Sequence, residues 1–179
     1  MSTRTPGRPL RTALRCLALF ALLALPLPVL AQVVNPVWTA VASTGTIDEA
    51  NYTPVNFAFG TTNLGFLGGN FGAIVARYNV TNINGAMNPP WNFLELGAID
   101  TSNMAGNQVV ASLYQVNPCT GAQVLLCSTT SVLTGAAGVC TTCQFAGPID
   151  FIQFLYYVEV KVSRTAAGIN EQALTLRIY

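Results

Sequence analysis

The chemistry open to this chain is bounded first by what it lacks. It contains no histidine, which removes Ser-His-Asp and Cys-His nucleophiles, histidine metal ligands and the usual general base near neutral pH. No GxSxG elbow or SxxK pair occurs, so its serine and threonine hydroxyls have no base beside them. Seven acids remain, but a carboxylate-dependent hydrolase needs two of them facing each other across a cleft. Glu159 alternates outward beside Lys161, and Asp100 and Asp150 stand in turn contexts where aspartate bonds its own backbone. Asp48-Glu49 and the run from Asp100 to Asn103 could lend oxygens to calcium, yet neither has EF-hand spacing, and solvated turns are the simpler reading. The expectation is no catalytic residue, no metal and no cofactor.

The cysteines fall in two places. Cys16 lies in an N-terminal leader: Arg4, Arg8, Arg11 and Arg15, an apolar run from Leu17 to Leu25, Pro26 and Pro28, then Val29-Leu30-Ala31. This is the pattern of a secretory signal peptide cleaved after Ala31, and the prolines break the apolar run well short of a membrane span. Residues 1–31 are read as the cleaved signal and residues 32–179 as one domain of a secreted protein, placed in the periplasm, at the cell surface or outside the cell, with no membrane insertion after cleavage.

Cys119, Cys127, Cys140 and Cys143 remain, and an even count in an exported chain reads as two disulfides. The CxxC spacing of Cys140 and Cys143 would suit zinc, but the seven residues between Cys119 and Cys127 would not. Extended segments hold Cys140 from Cys143, and Cys119 from Cys127, beyond bridging distance unless a tight turn intervenes. Crossed pairs are therefore expected, with Cys127 joined to Cys140 or Cys143 and Cys119 taking the other.

Removal of the leader takes half of the eight basic residues and shifts the formal charge from +1 to −3. Four scattered cations, Arg77, Lys161, Arg164 and Arg177, give no footprint for nucleic acid or anionic lipid. With so few charges the exposed surface must consist largely of Thr, Asn, Ser, Gln, Gly and Tyr, whereas solitary β-rich proteins usually carry more charge to blunt their sheet edges. Self-association, or attachment to a cell-surface glycan or other polymer, follows as the expected kind of partnership. Sugar recognition needs an exposed aromatic face with amide neighbours; Trp91 and Asn92, directly after Pro89-Pro90, are the residues singled out for it, against the commoner fate of tryptophan as a buried anchor.

The elements that must position these residues are strands. Period-two alternation and β-branched or aromatic enrichment recur between Gly, Asn and Pro clusters, with no sustained helical period. From Leu155 to Arg164, Tyr156, Val158, Val160 and Val162 fall on one face and Tyr157, Glu159 and Lys161 on the other. Gly72 to Val80 alternates likewise, with Ile74, Ala76, Tyr78 and Val80 inward and Arg77 and Asn79 outward. Trp91–Ile99, Asn107–Val116, Gln123–Ser128, Val37–Ser43 and Val55–Phe59 add further strands, and Leu64 to Asn70 is too rich in glycine to place. A last strand carrying Leu174, Leu176 and Ile178 on one face is expected to form a hairpin with its predecessor around residues 166–170.

The count of about eight strands predicts an all-β, antiparallel two-sheet sandwich, jelly-roll or Ig-like. In a membrane barrel the final aromatic would share its face with apolar residues, but Arg177, Thr175 and Ala173 accompany Tyr179. The preferred functional reading is a secreted, non-enzymatic, structural or adhesive component; a carbohydrate-binding module is the alternative, and a carboxylate-dependent hydrolase the weaker one.

Overall fold

Strands account for nearly all the regular structure in the computed structural model, which describes residues 36–48, 57–83 and 85–179. The expected signal peptide and Glu49 lie outside the described residues. In chain order the strands are β1 (Trp38–Val41), β2 (Thr46–Ile47), β3 (Phe57–Phe59), β4 (Leu64–Phe66), β5 (Gly72–Val80), β6 (Phe93–Ile99), β7 (Gln108–Val116), β8 (Gln123–Thr130), β9 (Val139–Gln144), β10 (Leu155–Arg164) and β11 (Gln172–Ile178), with a single 3-10 turn at Ala42–Thr44. Among the described residues no helix is long and apolar enough to cross a membrane.

The strands form two antiparallel sheets. One has the order β3-β4-β11-β6-β9, with β1 also on β11; the other has the order β2-β5-β10-β7-β8. Alternation decides which side chains enter the space between them. Val158, Val160 and Val162 of β10 are fully buried, and so are Leu94 and Leu96 of β6 and Leu176 and Ile178 of β11. Burying those aliphatic side chains is the main driving force, at roughly 1.5–3 kcal/mol for each large one.

Four expectations meet a different outcome. Among the described residues strands number eleven, because β9 is built from Thr-rich sequence that reads as loop and because short strands such as β2 and β4 carry too little pattern to see.

The expected hairpin between the last two strands is absent. β10 already has β5 and β7 on its two sides, while β11 lies between β6 and β1 in the opposite sheet. Residues 165–171 therefore cross from one sheet to the other. The crossing is held by buried Arg164, whose guanidinium donates to the carbonyls of Gly68 at 2.5 Å, Ile169 at 2.8 Å and Asn70, and lies 4.6 Å from the Phe66 ring centroid.

Within β11 the register shifts between Ala173 and Thr175, so Ala173 and Leu176 are buried while Leu174 is only half-buried.

Among the described residues the cysteines form one disulfide, not two. Cys127–Cys143 joins β8 to β9 with a Cα separation of 5.9 Å, while Cys119 and Cys140 are free and exposed. The period of two explains Cys140. Three residues from Cys143 along an extended strand, it points to the opposite side of the sheet. Cys119 sits at the β7–β8 turn, where its amide donates to Asn117 Oδ1 at 2.9 Å. The one bridge ties together the neighbouring edge strands of the two sheets.

Candidate functional site

Two groups of polar side chains stand out, one on an outer face and one buried. The outer face of the five-stranded sheet collects the residues that alternate away from the core. Register places Thr46, Arg77, Glu159, Ser112 and Ser128 side by side across its strands, and Asn79, Tyr157, Tyr114 and Leu125 in the adjoining row.

These rows are ordered by direct contacts. Arg77 Nε donates to Glu159 Oε2 at 3.1 Å, and Arg77 Nη2 lies 2.9 Å from Asp48 Oδ2. The guanidinium carbon is 5.8 Å from the Tyr157 ring centroid, and Tyr157 stacks on Tyr114 with centroids 5.0 Å apart and planes 14° from parallel. The Tyr157 hydroxyl donates to Gln123 Oε1 at 2.7 Å, and the Ser112 and Ser128 hydroxyls are 2.9 Å apart.

Partial desolvation works against the Arg77 charge, but the Glu159 hydrogen bond and the charges of Asp48 and Glu159 outweigh it and raise the Arg77 pKa. Burial, then the Glu159 charge, raises that of the Tyr157 phenol. Arg77, Asn79 and Thr46 also line a cleft of about 530 Å3 that extends the face toward Thr39 on β1. The chemistry on offer is flat aromatic and aliphatic surface bordered by fixed hydroxyl, amide and paired ionic groups.

The buried group lies where β6 ends and β11 begins. Asp100 and Glu171 are 3% and 1% exposed. Asp100 Oδ2 accepts from the Ser131 hydroxyl at 2.5 Å, Asp100 Oδ1 from the Ser102 amide at 3.3 Å, and Glu171 Oε1 from the Thr101 amide at 3.3 Å. Glu171 Oε2 has no hydrogen-bond partner. Burial, then the Asp100 charge, pushes the Glu171 carboxyl up to about 7. When protonated, Glu171 gains a donor that can face the Asp100 charge. The expected local turn bond of Asp100 is present, but its partnership with Glu171 is new; it arises because β6 and β11 pair, with Ile99 opposite Gln172. Glu171 is covered, while Asp100, with Ser131, borders a cleft of about 280 Å3. Among the described residues no three of His, Cys, Asp and Glu converge on a metal position.

The other residues singled out from sequence are placed as follows. Trp91 is 1% exposed, its indole donating to the Pro36 carbonyl and its ring packed edge-on to Phe151 at 6.1 Å. The ring is an anchor of the core and has no face free for a stacked sugar. Asn92 is half-buried; its amide donates to the Tyr179 carbonyl at 3.0 Å and its own carbonyl accepts from Phe145 at 2.9 Å. Asp150 caps its turn, accepting from the amides of Ile152 and Gln153 at 2.9 and 3.2 Å. The Tyr114–Tyr157 stack was not singled out from sequence. Alternation puts Tyr157 and Arg77 outward, but nothing in either segment says that β10 lies between β5 and β7.

No protein-family model and no curated protein matches the chain. Solved structures with a similar arrangement include a "xylan-binding module CBM15", at 12% identity and a TM-score of 0.48 over 80% of this chain and 95% of that one. Another is the CBM36-1 domain of a multidomain xylanase from the hindgut metagenome of Trinervitermes trinervoides, at 11% identity and 0.47 over 80% and 97%. A third is CBM35 from Paenibacillus barcinonensis, at 14% identity and 0.42 over 79% and 98%. Similarity this distant leaves the function of this chain to its own side chains.

Proposed function

We propose that this chain is an exported, non-catalytic adhesive module that binds a neutral polysaccharide across the outer face of its five-stranded sheet. The observation that carries the reading is the pair of adjoining rows in which Tyr157 stacks on Tyr114 beside the Arg77–Glu159 ion pair. Those side chains come from three strands and are held in place before any ligand arrives, which lowers the ordering cost of binding. The side of Tyr114 away from Tyr157, together with exposed Leu125, suits the C–H face of a sugar, while Arg77, Glu159, Ser112 and Ser128 suit its hydroxyls. Arg77 and Lys161 balance Asp48 and Glu159 on this side of the molecule, so the face favours an uncharged ligand over an anionic one.

The test is affinity electrophoresis of the mature chain through gels containing xylan, mixed-linkage glucan, galactan or dextran. Retardation by at least one polymer is expected, with apparent affinity at least about tenfold weaker in Tyr114→Ala/Tyr157→Ala, a loss of about 1.4 kcal/mol. Free migration of the wild type in all four gels, or full retardation of the double variant, refutes the reading.

The sheet edges favour a second reading, association of copies of the chain. The edge strands β8 (QVLLCSTT) and β9 (VCTTCQ) carry no charge, and Val124 on β8 is 57% exposed. Unprotected edges of this kind pair readily with another strand. A concentration-dependent dimer in sedimentation velocity that Val124→Lys dissociates would support it, and a monomer at every concentration would end it.

A further inference from the structure

The arrangement around Arg77 occurs a second time, on the opposite side of the sandwich. Arg177 Nη1 on β11 donates to Glu95 Oε1 on β6 at 3.2 Å, its guanidinium carbon is 5.5 Å from the Tyr179 ring centroid, and Tyr179 stacks on Phe93 at 5.8 Å and 22°. Hydroxyl and amide companions recur too: Thr39 stands opposite Arg177, Thr142 opposite Glu95 and Gln144 opposite Phe93. The two sets are not copies of one sequence segment. Arg177 and Tyr179 share one strand end, whereas Arg77 and Tyr157 come from different strands.

Each set also adjoins a cleft. Arg177, Thr175 and Thr39 line one of about 470 Å3, as Arg77, Asn79 and Thr46 line theirs. Next to the Arg177–Glu95 row lies Gly97, buried because Thr175 fills the space beside it: a Cβ there would come within 2.4 Å of Thr175 Oγ1 and 3.7 Å of the exposed Cys140 sulfur. Glu95 balances Arg177, so this face, like the other, carries no net charge among the described residues.

We propose that the Phe93–Tyr179–Arg177–Glu95 face is a second site for the same class of ligand, a neutral polysaccharide, making one domain divalent. The proposal rests on the reading of the Tyr114–Tyr157 face given above. The two clefts meet at Thr39, Ala40 and Thr44 along the β1 edge, but the two aromatic pairs stand on the outer faces of sheets that pack about 10 Å apart, so one short segment of polymer cannot stack on both. Two different chains, or two distant segments of one, are held back to back. A divalent domain cross-links polymer, and gains avidity on a surface where both faces find chains.

The test is isothermal titration calorimetry with xylohexaose, cellohexaose, galactohexaose and isomaltohexaose on three full mature chains: wild type, Tyr114→Ala/Tyr157→Ala and Arg177→Gln/Tyr179→Ala. The expected stoichiometry for the bound sugar is two, one and one, and only the wild type precipitates the corresponding long polymer.

A second readout does not depend on altering the new face. In Tyr114→Ala/Tyr157→Ala, saturating sugar should slow alkylation of Cys140 at least fivefold and leave Cys119 unchanged. A stoichiometry of one for the wild type, abolished by Tyr114→Ala/Tyr157→Ala, with Cys140 unprotected, overturns the second site while the first stands. Absence of binding to every sugar by the wild type overturns both.

Discussion

Replacing Glu171 by glutamine should abolish a loss of stability that this fold suffers as pH rises. The Glu171 carboxyl rises from 4.5 to about 7, first through burial and then through the charge of Asp100. Below the lower value both folded and unfolded chains hold the proton, and folding is unaffected. Between the two values only the folded state holds it, so stability falls as pH rises and levels off above the folded value. The full interval would correspond to about 3 kcal/mol. Asp100 and Ser131 border an open cleft, and water there screens the pair, so about 2 kcal/mol is the working figure. For a domain of this size that is a fall in Tm of roughly 6 °C between pH 5 and pH 8.

In Glu171→Gln the amide can donate to Asp100 at any pH while its oxygen still accepts from Thr101. Its Tm should be flat across the range and should exceed that of the wild type at pH 8. Differential scanning calorimetry on both proteins in matched ionic strength gives the answer. Equal melting temperatures for the wild type at pH 5 and pH 8, or the same slope in both proteins, would refute the assignment of a shared proton to this pair.

The remaining expectations concern the frame. Cys127 and Cys143 are 16 residues apart, and loss of that bridge in Cys127→Ala/Cys143→Ala should destabilise by about 3 kcal/mol in urea unfolding, chiefly by freeing the unfolded chain. Alkylation of the native mature protein should add two labels, at Cys119 and Cys140, with two more appearing only after reduction and unfolding; four labels on the native protein would contradict the bridge. Gly45→Ala should cost about 1–3 kcal/mol, because its Cβ would come within 2.5 Å of the Tyr78 ring, which is 4% exposed and fixed by its hydroxyl bond to the Ala42 carbonyl at 2.6 Å. An unchanged Tm would show that the 3-10 turn slides freely over Tyr78.

Much of the fold could be read from residue order because alternation is a local property. A strand's side chains point to opposite sides whatever its neighbours are. Tyr156, Val158, Val160 and Val162 therefore declare a buried face, and Tyr157, Glu159 and Lys161 an open one, before any partner strand is known. The absence of histidine bounded the available chemistry in the same context-free way.

Which residues meet across strands was decided only by the tertiary structure. Arg77 and Glu159 are 82 positions apart, Asp100 and Glu171 lie at the ends of two strands far apart in the chain, and Cys127 faces Cys143 because two edges happen to be neighbours. A short turn with Gly168 reads the same whether the next strand pairs with the last one or crosses to the opposite sheet. The choice fell to the crossing because both sides of β10 were already taken, and pairing of distant segments is an energetic competition among all strands at once.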